Sequence, residues 1–297
     1  MISVLGRRAA TFASLVKLSH TIFAAPFAVA AALLATTRPH VPVTWQRVLA
    51  IAVCLVSARS AAMAYNRLVD RDIDAKNPRT KQREIPAGVV TPRAAAGLVA
   101  FTSLLFLASA ATLGTLPAIL ALPVLLVLLG YSHAKRFTWA AHLWLGLALA
   151  LAPGGAWLAV GAKPELGIVT LMIAVLTWVG GFDVLYSLQD ETFDRELGLN
   201  SIPSRFGARG ALRIARGLHV TTCLGLAATC ILLSGGVAFV LSVLLVAGLL
   251  VYEHSLVKPI DDTRVDLSRI DAAFFDINGY VSLGFFALVA IDVFLRK

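Results

Sequence analysis

The chain reads as an all-α, polytopic membrane protein: a bundle of nine transmembrane helices with its chemistry-rich loops on the cytoplasmic side. Three observations predict this. Of its 297 residues, 58% are hydrophobic and 14% charged, against about 45–50% apolar and about 25% charged in soluble domains. Runs of roughly 20 apolar residues, the length that crosses a bilayer, recur near 14–36, 46–68, 94–113, 115–132, 139–160, 166–188, 210–233, 236–256 and 272–294. Basic residues also segregate to one side. With a cytoplasmic N-terminus, Arg59 lies within the second span, and Arg38, Arg47, Lys163, Arg296 and Lys297 fall outside. The remaining 20 of the 26 Lys and Arg are cytoplasmic, as the positive-inside rule requires. An error of one span would scramble that split.

Taking the chain in order, Arg7 and Arg8 precede an apolar run in the manner of a signal peptide. Lys17 and His20 interrupt the run and many spans follow, so it reads as the first transmembrane helix. Short connectors with turn chemistry follow alternate spans: Arg38–Pro42, Gly114–Pro117, Gly161–Pro164 and Ser234–Gly236. Between them lie longer polar loops, all on the cytoplasmic side. The net charge of +9 belongs to these loops, so topology explains it and nucleic acid is not implied. Cys54, Cys223 and Cys230 sit in apolar segments without metal-ligand spacing. A cation-dependent transporter is the alternative class. Such a protein needs access from both sides and carries polar groups at mid-membrane, whereas this chain concentrates its polarity at one end.

Two acidic clusters stand out. In YNRLVDRDIDAKNPRTKQREIPAG, Asn66, Asp70 and Asp74 are four residues apart. On a continuous helix they form one stripe about 12 Å long at the end of the second span. In GFDVLYSLQDETFDRELGLNSIPSRFG, Asp183, Tyr186, Asp190 and Asp194 fall within about a quarter turn of one another at about 100° per residue. Tyr186, Asp190 and Asp194 repeat the spacing of the first cluster, and each cluster runs on to an Ile-Pro. The chain is therefore expected to be one domain, 1–297, with two pseudo-repeat halves, about 14–132 and 139–294. Facing carboxylate pairs need cations between them. Two Mg2+ ions held by Asn66, Asp70, Asp74, Asp190 and Asp194, with a diphosphate as ligand, fit the preference of Mg2+ for few carboxylates plus water and phosphate oxygens. Arg67, Arg79, Arg83, Lys135 and Arg136 are candidates for the remaining phosphate charge. Asp72 and Glu191 point off the stripes and read as solvated.

NRLVDRDID resembles the first aspartate-rich motif of the UbiA superfamily of membrane prenyltransferases, N-x-x-x-D-x-x-x-D, and DVLYSLQDETFD resembles its second. YSHAKRFT is similar to the family's loop after the fourth helix. The family commonly has Asp after the motif Asn, where this chain has Arg67. RSAAMAYNRLVD, KRFTWAAHLWLG, YEHSLVKP and FFDINGYVSLGFF resemble the 4-hydroxybenzoate polyprenyltransferase-like and futalosine-type menaquinone-pathway branch.

The resemblance implies transfer of a polyprenyl group from an allylic prenyl diphosphate to an aromatic carboxylic acid, in the bilayer of a bacterial-type cell membrane. The acceptor is 4-hydroxybenzoate or a dihydroxynaphthoate-type acid, and the setting is respiratory quinone biosynthesis. It implies catalytic roles for Asp183, Tyr186 and Asp190. Tyr186 offers its π-face to the allylic cation. Asp183 either orients the acceptor, accepts the ring proton, or is a buried carboxylate paired with Arg59 or a hydroxyl. Lys17, with His20, contacts diphosphate or the acceptor carboxylate, or else snorkels. His142 and His254 read as hydrogen-bonded structural histidines or substrate contacts, Asn278 as a link between helices, and Arg209, Arg213 and Arg216 as a lipid-headgroup face.

Overall fold

In the computed structural model, residues 15, 21–39, 41, 44–261 and 264–296 are described. They form α1 (Thr21–Ala35), α2 (Trp45–Val69), α3 (Arg71–Lys76), α4 (Pro92–Ala111), α5 (Thr115–Gly130), α6 (Ala141–Ala159), α7 (Leu166–Ser187), α8 (Glu191–Glu196), α9 (Ile202–Leu232), α10 (Val237–Leu256) and α11 (Asn278–Leu295). The all-α expectation holds. The one ladder among the described residues pairs Lys258–Pro259 with Val265–Asp266.

Eight helical stretches among the described residues are long and apolar enough to cross a membrane, so the protein is multi-pass. They coincide with the second to ninth expected spans. Of the first expected span, residues 15 and 21–36 are described, and α1 within them is 15 residues long. The seventh span was expected from 210, yet α9 begins at Ile202. Ser201 accepts from Ser204 N while Ser204 Oγ accepts from Ser201 N, a reciprocal cap that starts a helix. Gly207 then breaks it at φ 69°, ψ 173°, and the apolar run follows the break. Only glycine reaches that φ without strain.

The chain divides into two compact units, Met1–Thr21 with Trp45–His133, and Ile22–Thr44 with Ala134–Lys297. In the first, α2 packs on α4 and α5 through small residues. Ala61 meets Phe106, Ala110, Ala121 and Leu125, and Ala64 joins Leu15, Ile85, Val90 and Ala95. In the second, α7 packs against both α6 and α9. A Cβ on Gly146 would strike the carbonyl oxygen of Leu176, and one on Gly181 would strike the His219 ring, so these glycines set the close approach of the helices. Phe27 stacks on Phe285 (4.7 Å between centroids) and leans on Trp178 (5.0 Å), which ties α1 to α7 and α11. Exposed Leu104, Leu126, Leu224, Ile231 and Val251 are the lipid-facing residues such a protein requires.

At the end of the second unit where α10 starts, Asp292 is 2% exposed. It accepts from Gly236 N and Phe239 N, each at 3.2 Å, and pairs with Arg296 Nε at 2.9 Å. A carboxylate of α11 thus caps the N-terminus of α10. Asp292→Ala should cost about 1–3 kcal/mol, read as a lowered thermal midpoint in detergent, with Asp292→Asn closer to wild type.

Candidate active site

The first acidic motif lies where α2 gives way to α3. Asp70 bridges them at φ −90°, ψ 3°, a sparsely occupied region of backbone space where active-site residues are often found. The expected continuous helix is therefore broken into two. The four-residue rungs survive the break, because Asp70 N donates to Asn66 O (2.9 Å) and Asp74 N to Asp70 O (2.7 Å). Asn66 Nδ2 donates to Asp70 Oδ2 at 2.8 Å, which commits its amide nitrogen within the motif. Asp74 is buried, with Arg83 Nη1 at 2.7 and 2.9 Å from its two oxygens. Thr80 Oγ1 donates to Asp74 O at 3.1 Å, so the loop that carries Arg83 folds back on the motif. Arg67 is 4% exposed, and its Nε has no hydrogen-bond partner among the described residues.

The second motif repeats this local architecture. After α7 the chain tightens into a 3-10 turn, Leu188–Asp190. Asp190 sits at φ −102°, ψ 3° before the six residues of α8. The continuous helix expected from Asp183 to Asp194 is thus also interrupted. A 3-10 turn has about 3.0 residues per turn in place of about 3.6, which changes the phase between Asp183 and Asp194. Asp190 and Asp194 are both buried. Lys135 Nζ is 3.5 Å from Asp194 Oδ2. The backbone of Lys135 is gripped by Asn200, whose N and Nδ2 donate to its carbonyl at 2.8 and 3.4 Å. Asp72 is exposed as expected. Glu191 corrects the expectation of a solvated charge: its side chain is 18% exposed and pairs with Arg195 at 2.9 Å, one turn on along α8.

The hydroxyl partner considered for Asp183 is not found among the described residues. Asp183 Oδ2 lies 2.6 Å from His142 Nδ1, and His142 Nε2 accepts from Ile202 N at 3.3 Å. Tyr186 stacks on Phe274 (centroids 4.0 Å apart, planes 25°), with Phe275 edge-on at 6.2 Å. Phe23 and Phe182 extend this aromatic wall. Phe274 and Phe275 belong to a wide π-turn, Ala272–Ile277, that opens into α11. Asn278 Nδ2 donates to Ala273 O (3.0 Å) and Phe274 O (3.3 Å) inside that turn, and to Glu253 Oε1 (2.9 Å). Its Oδ1 accepts from Trp178 Nε1 at 2.7 Å. It is the helix link expected, and it also anchors the aromatic wall. His254 Nε2 lies 3.0 Å from His219 Nδ1, as suits a structural histidine. No group of three or more His, Cys, Asp or Glu among the described residues is arranged to hold a metal ion.

With this geometry in view, the model of the UbiA prenyltransferase family matches residues 24–277. The chain belongs to the UbiA prenyltransferase family. A 4-hydroxybenzoate octaprenyltransferase of Nitrosomonas eutropha is 30% identical over 207 residues, 69% of this chain and 72% of that one. Its counterpart in Nitrosomonas europaea is 29% identical over 242 residues, 80% of this chain and 79% of that one. Among solved structures, the apo UbiA homolog from Aeropyrum pernix K1 superposes with TM-score 0.81 and 34% identity, covering 92% of this chain and 98% of that one. A UbiA homolog from Archaeoglobus fulgidus bound to GPP and Mg2+ shares the fold at TM-score 0.72 and 19% identity, covering 94% of this chain and 99% of that one.

Within this UbiA-family chain, several predicted site residues meet directly: Asn66 with Asp70, Asp74 with Arg83, and Asp194 with Lys135. Arg79 and Arg136 are exposed, and Lys17 and His20 lie outside the described residues. The tie between His142 and Asp183 and the wall formed by Phe274 and Phe275 escaped the sequence reading. The only signals were a histidine in an apolar helix and an adjacent aromatic pair.

Proposed function

We propose that this membrane prenyltransferase moves a polyprenyl group from an allylic prenyl diphosphate to an aromatic carboxylic acid in respiratory quinone biosynthesis. The observation that carries this reading is the repeated motif. Asp70 and Asp190 each sit at the same backbone break after a long apolar helix, and each is followed four residues later by a buried carboxylate holding a basic side chain. The names of the Nitrosomonas relatives favour 4-hydroxybenzoate, with a dihydroxynaphthoate-type acid as the other acceptor. The excess of basic residues in one set of loops favours an active site on the cytoplasmic side of the cell membrane.

Asn66, Asp70, Asp74, Asp190 and Asp194 offer only oxygen donors, which suits a hard cation. Mg2+, two ions on this reading, supplies positive charge that offsets the charge on the departing diphosphate. Arg83 and Lys135, held at the motifs by Asp74 and Asp194, take the remaining phosphate charge, together with Arg67, Arg79 and Arg136. Tyr186, backed by the Phe274 ring, presents a π-face to the allylic cation and helps exclude water. As the allylic C–O bond breaks and the bond to the ring carbon forms, the ring loses one proton. Asp183, one turn from Tyr186, accepts that proton or orients the ring.

Purified protein in lipid nanodiscs, supplied with labelled prenyl diphosphates and each acceptor, should yield prenylated acid. EDTA should lower the rate more than about 100-fold, in line with the loss of transition-state charge stabilisation, and Mg2+ should restore it. Cation-linked uptake into proteoliposomes with no prenylated product would sink the reading.

A further inference from the structure

His142 is fully buried on α6, and both of its ring nitrogens are committed. The backbone N–H of Ile202 opens α9, where helical N–H groups have no partner of their own. It is a fixed donor, and it points at His142 Nε2. Nε2 therefore carries no proton. The single ring proton lies on Nδ1, which donates it to Asp183 Oδ2 at 2.6 Å. The histidine thus meets Asp183 as a hydrogen-bond donor, and one oxygen of Asp183 is already served.

Asp183 makes no other hydrogen bond among the described residues, and 23% of its side chain is exposed. A carboxylate in such surroundings calls for further donors to its other lone pairs. The acid group of an aromatic acceptor has only negative charge to bring there, whereas a ring hydroxyl has an O–H. Tyr186 lies three residues along the same face of α7, so a ring held at Asp183 is one helical turn from the aromatic wall.

We propose that His142 is a positioning residue that holds Asp183 as an acceptor-only anion, and that the pair recognises the ring hydroxyl of the aromatic acceptor. This rests on the prenyl-transfer reading above. A hydroxyl donating into Asp183 gains electron density at oxygen and passes it to the adjacent ring carbons, which activates the position that attacks. The acid group of the acceptor is directed away from Asp183 by like-charge repulsion.

The test compares wild type, His142→Gln and His142→Phe in the nanodisc assay, with 4-methoxybenzoate as a competing ligand that lacks the hydroxyl donor. Glutamine presents an amide N–H and a carbonyl oxygen, so it can serve both Asp183 and the Ile202 N–H. Phenylalanine serves neither. In wild type, 4-methoxybenzoate should bind about tenfold or more weaker than 4-hydroxybenzoate. His142→Phe should raise KM for 4-hydroxybenzoate about tenfold or more, leave KM for the prenyl diphosphate within about twofold, and erase the preference for hydroxyl over methoxy, with His142→Gln restoring all three. Equal wild-type binding of the two benzoates overturns the proposal even if the Phe variant does not fold. A folded Phe variant that keeps the hydroxyl preference, or shifts both KM values alike, also overturns it. Wild-type protein that prenylates no aromatic acceptor overturns the prenyl-transfer reading and this inference with it. Active wild type without hydroxyl dependence overturns the inference alone.

Discussion

Asp190→Ala should lower prenyl transfer by about 10²–10³-fold or more while the protein remains folded and monodisperse. Asp190 sits at a helix break with nonhelical backbone angles, so no regular helical rung depends on its side chain. Its carboxylate is buried, at a cost that membrane proteins rarely accept without function. Asp70→Ala should behave alike, since Asp70 occupies the matching break in the first motif. Single-turnover measurements on the purified variant, with a thermal midpoint recorded alongside, decide the matter. Wild-type turnover by well-folded Asp190→Ala protein would remove the metal–diphosphate role from this residue.

Gly146→Val should lower the thermal midpoint by about 10 °C or more, or prevent recovery of folded protein. Even a single Cβ at this position meets the backbone carbonyl oxygen of Leu176. A carbonyl inside α7 cannot swing aside without giving up its own helical hydrogen bond, so α6 and α7 would have to separate. Gly155→Val in the same helix is the control, because a Cβ there meets nothing within 4 Å. Similar midpoints for the two variants would show that the close approach of these helices contributes little.

The parts of this protein that could be read in sequence are those written locally. Apolar runs of bilayer length marked the spans. Asp70, Asp74, Asp190 and Asp194 stood out because carboxylates at four-residue spacing beside such runs are costly without a role. The breaks at Asp70 and Asp190 were not legible, since a tightened turn and a regular one differ by one hydrogen-bond register and leave the same spacing in the sequence. His142 and Asp183 are 41 residues apart, and His142 and Ile202 are 60 apart, so no periodicity connects them. Asp292 lies near the C-terminus in sequence, yet it caps a helix that begins 55 residues earlier, at Val237. The partial burial of Glu191 was not legible, because its angle on one continuous helix from Asp183 does not hold past the 3-10 turn that precedes α8.

The π-turn at Ala272–Ile277 acts as an indexing step in the chain. A π-turn holds one residue more than the α-helical turn it replaces, and one residue corresponds to about 100° of helical rotation. Within the step, Phe274 lies on Tyr186. Downstream, Val281, Phe285 and Val289 are phased into the core, each fully buried. Deleting a single residue here would leave the span long enough to cross the bilayer, but would turn the aromatic ring away from its partner by about a quarter revolution. The length of this segment is thus fixed to the residue by angular registration, a constraint separate from hydrophobic thickness.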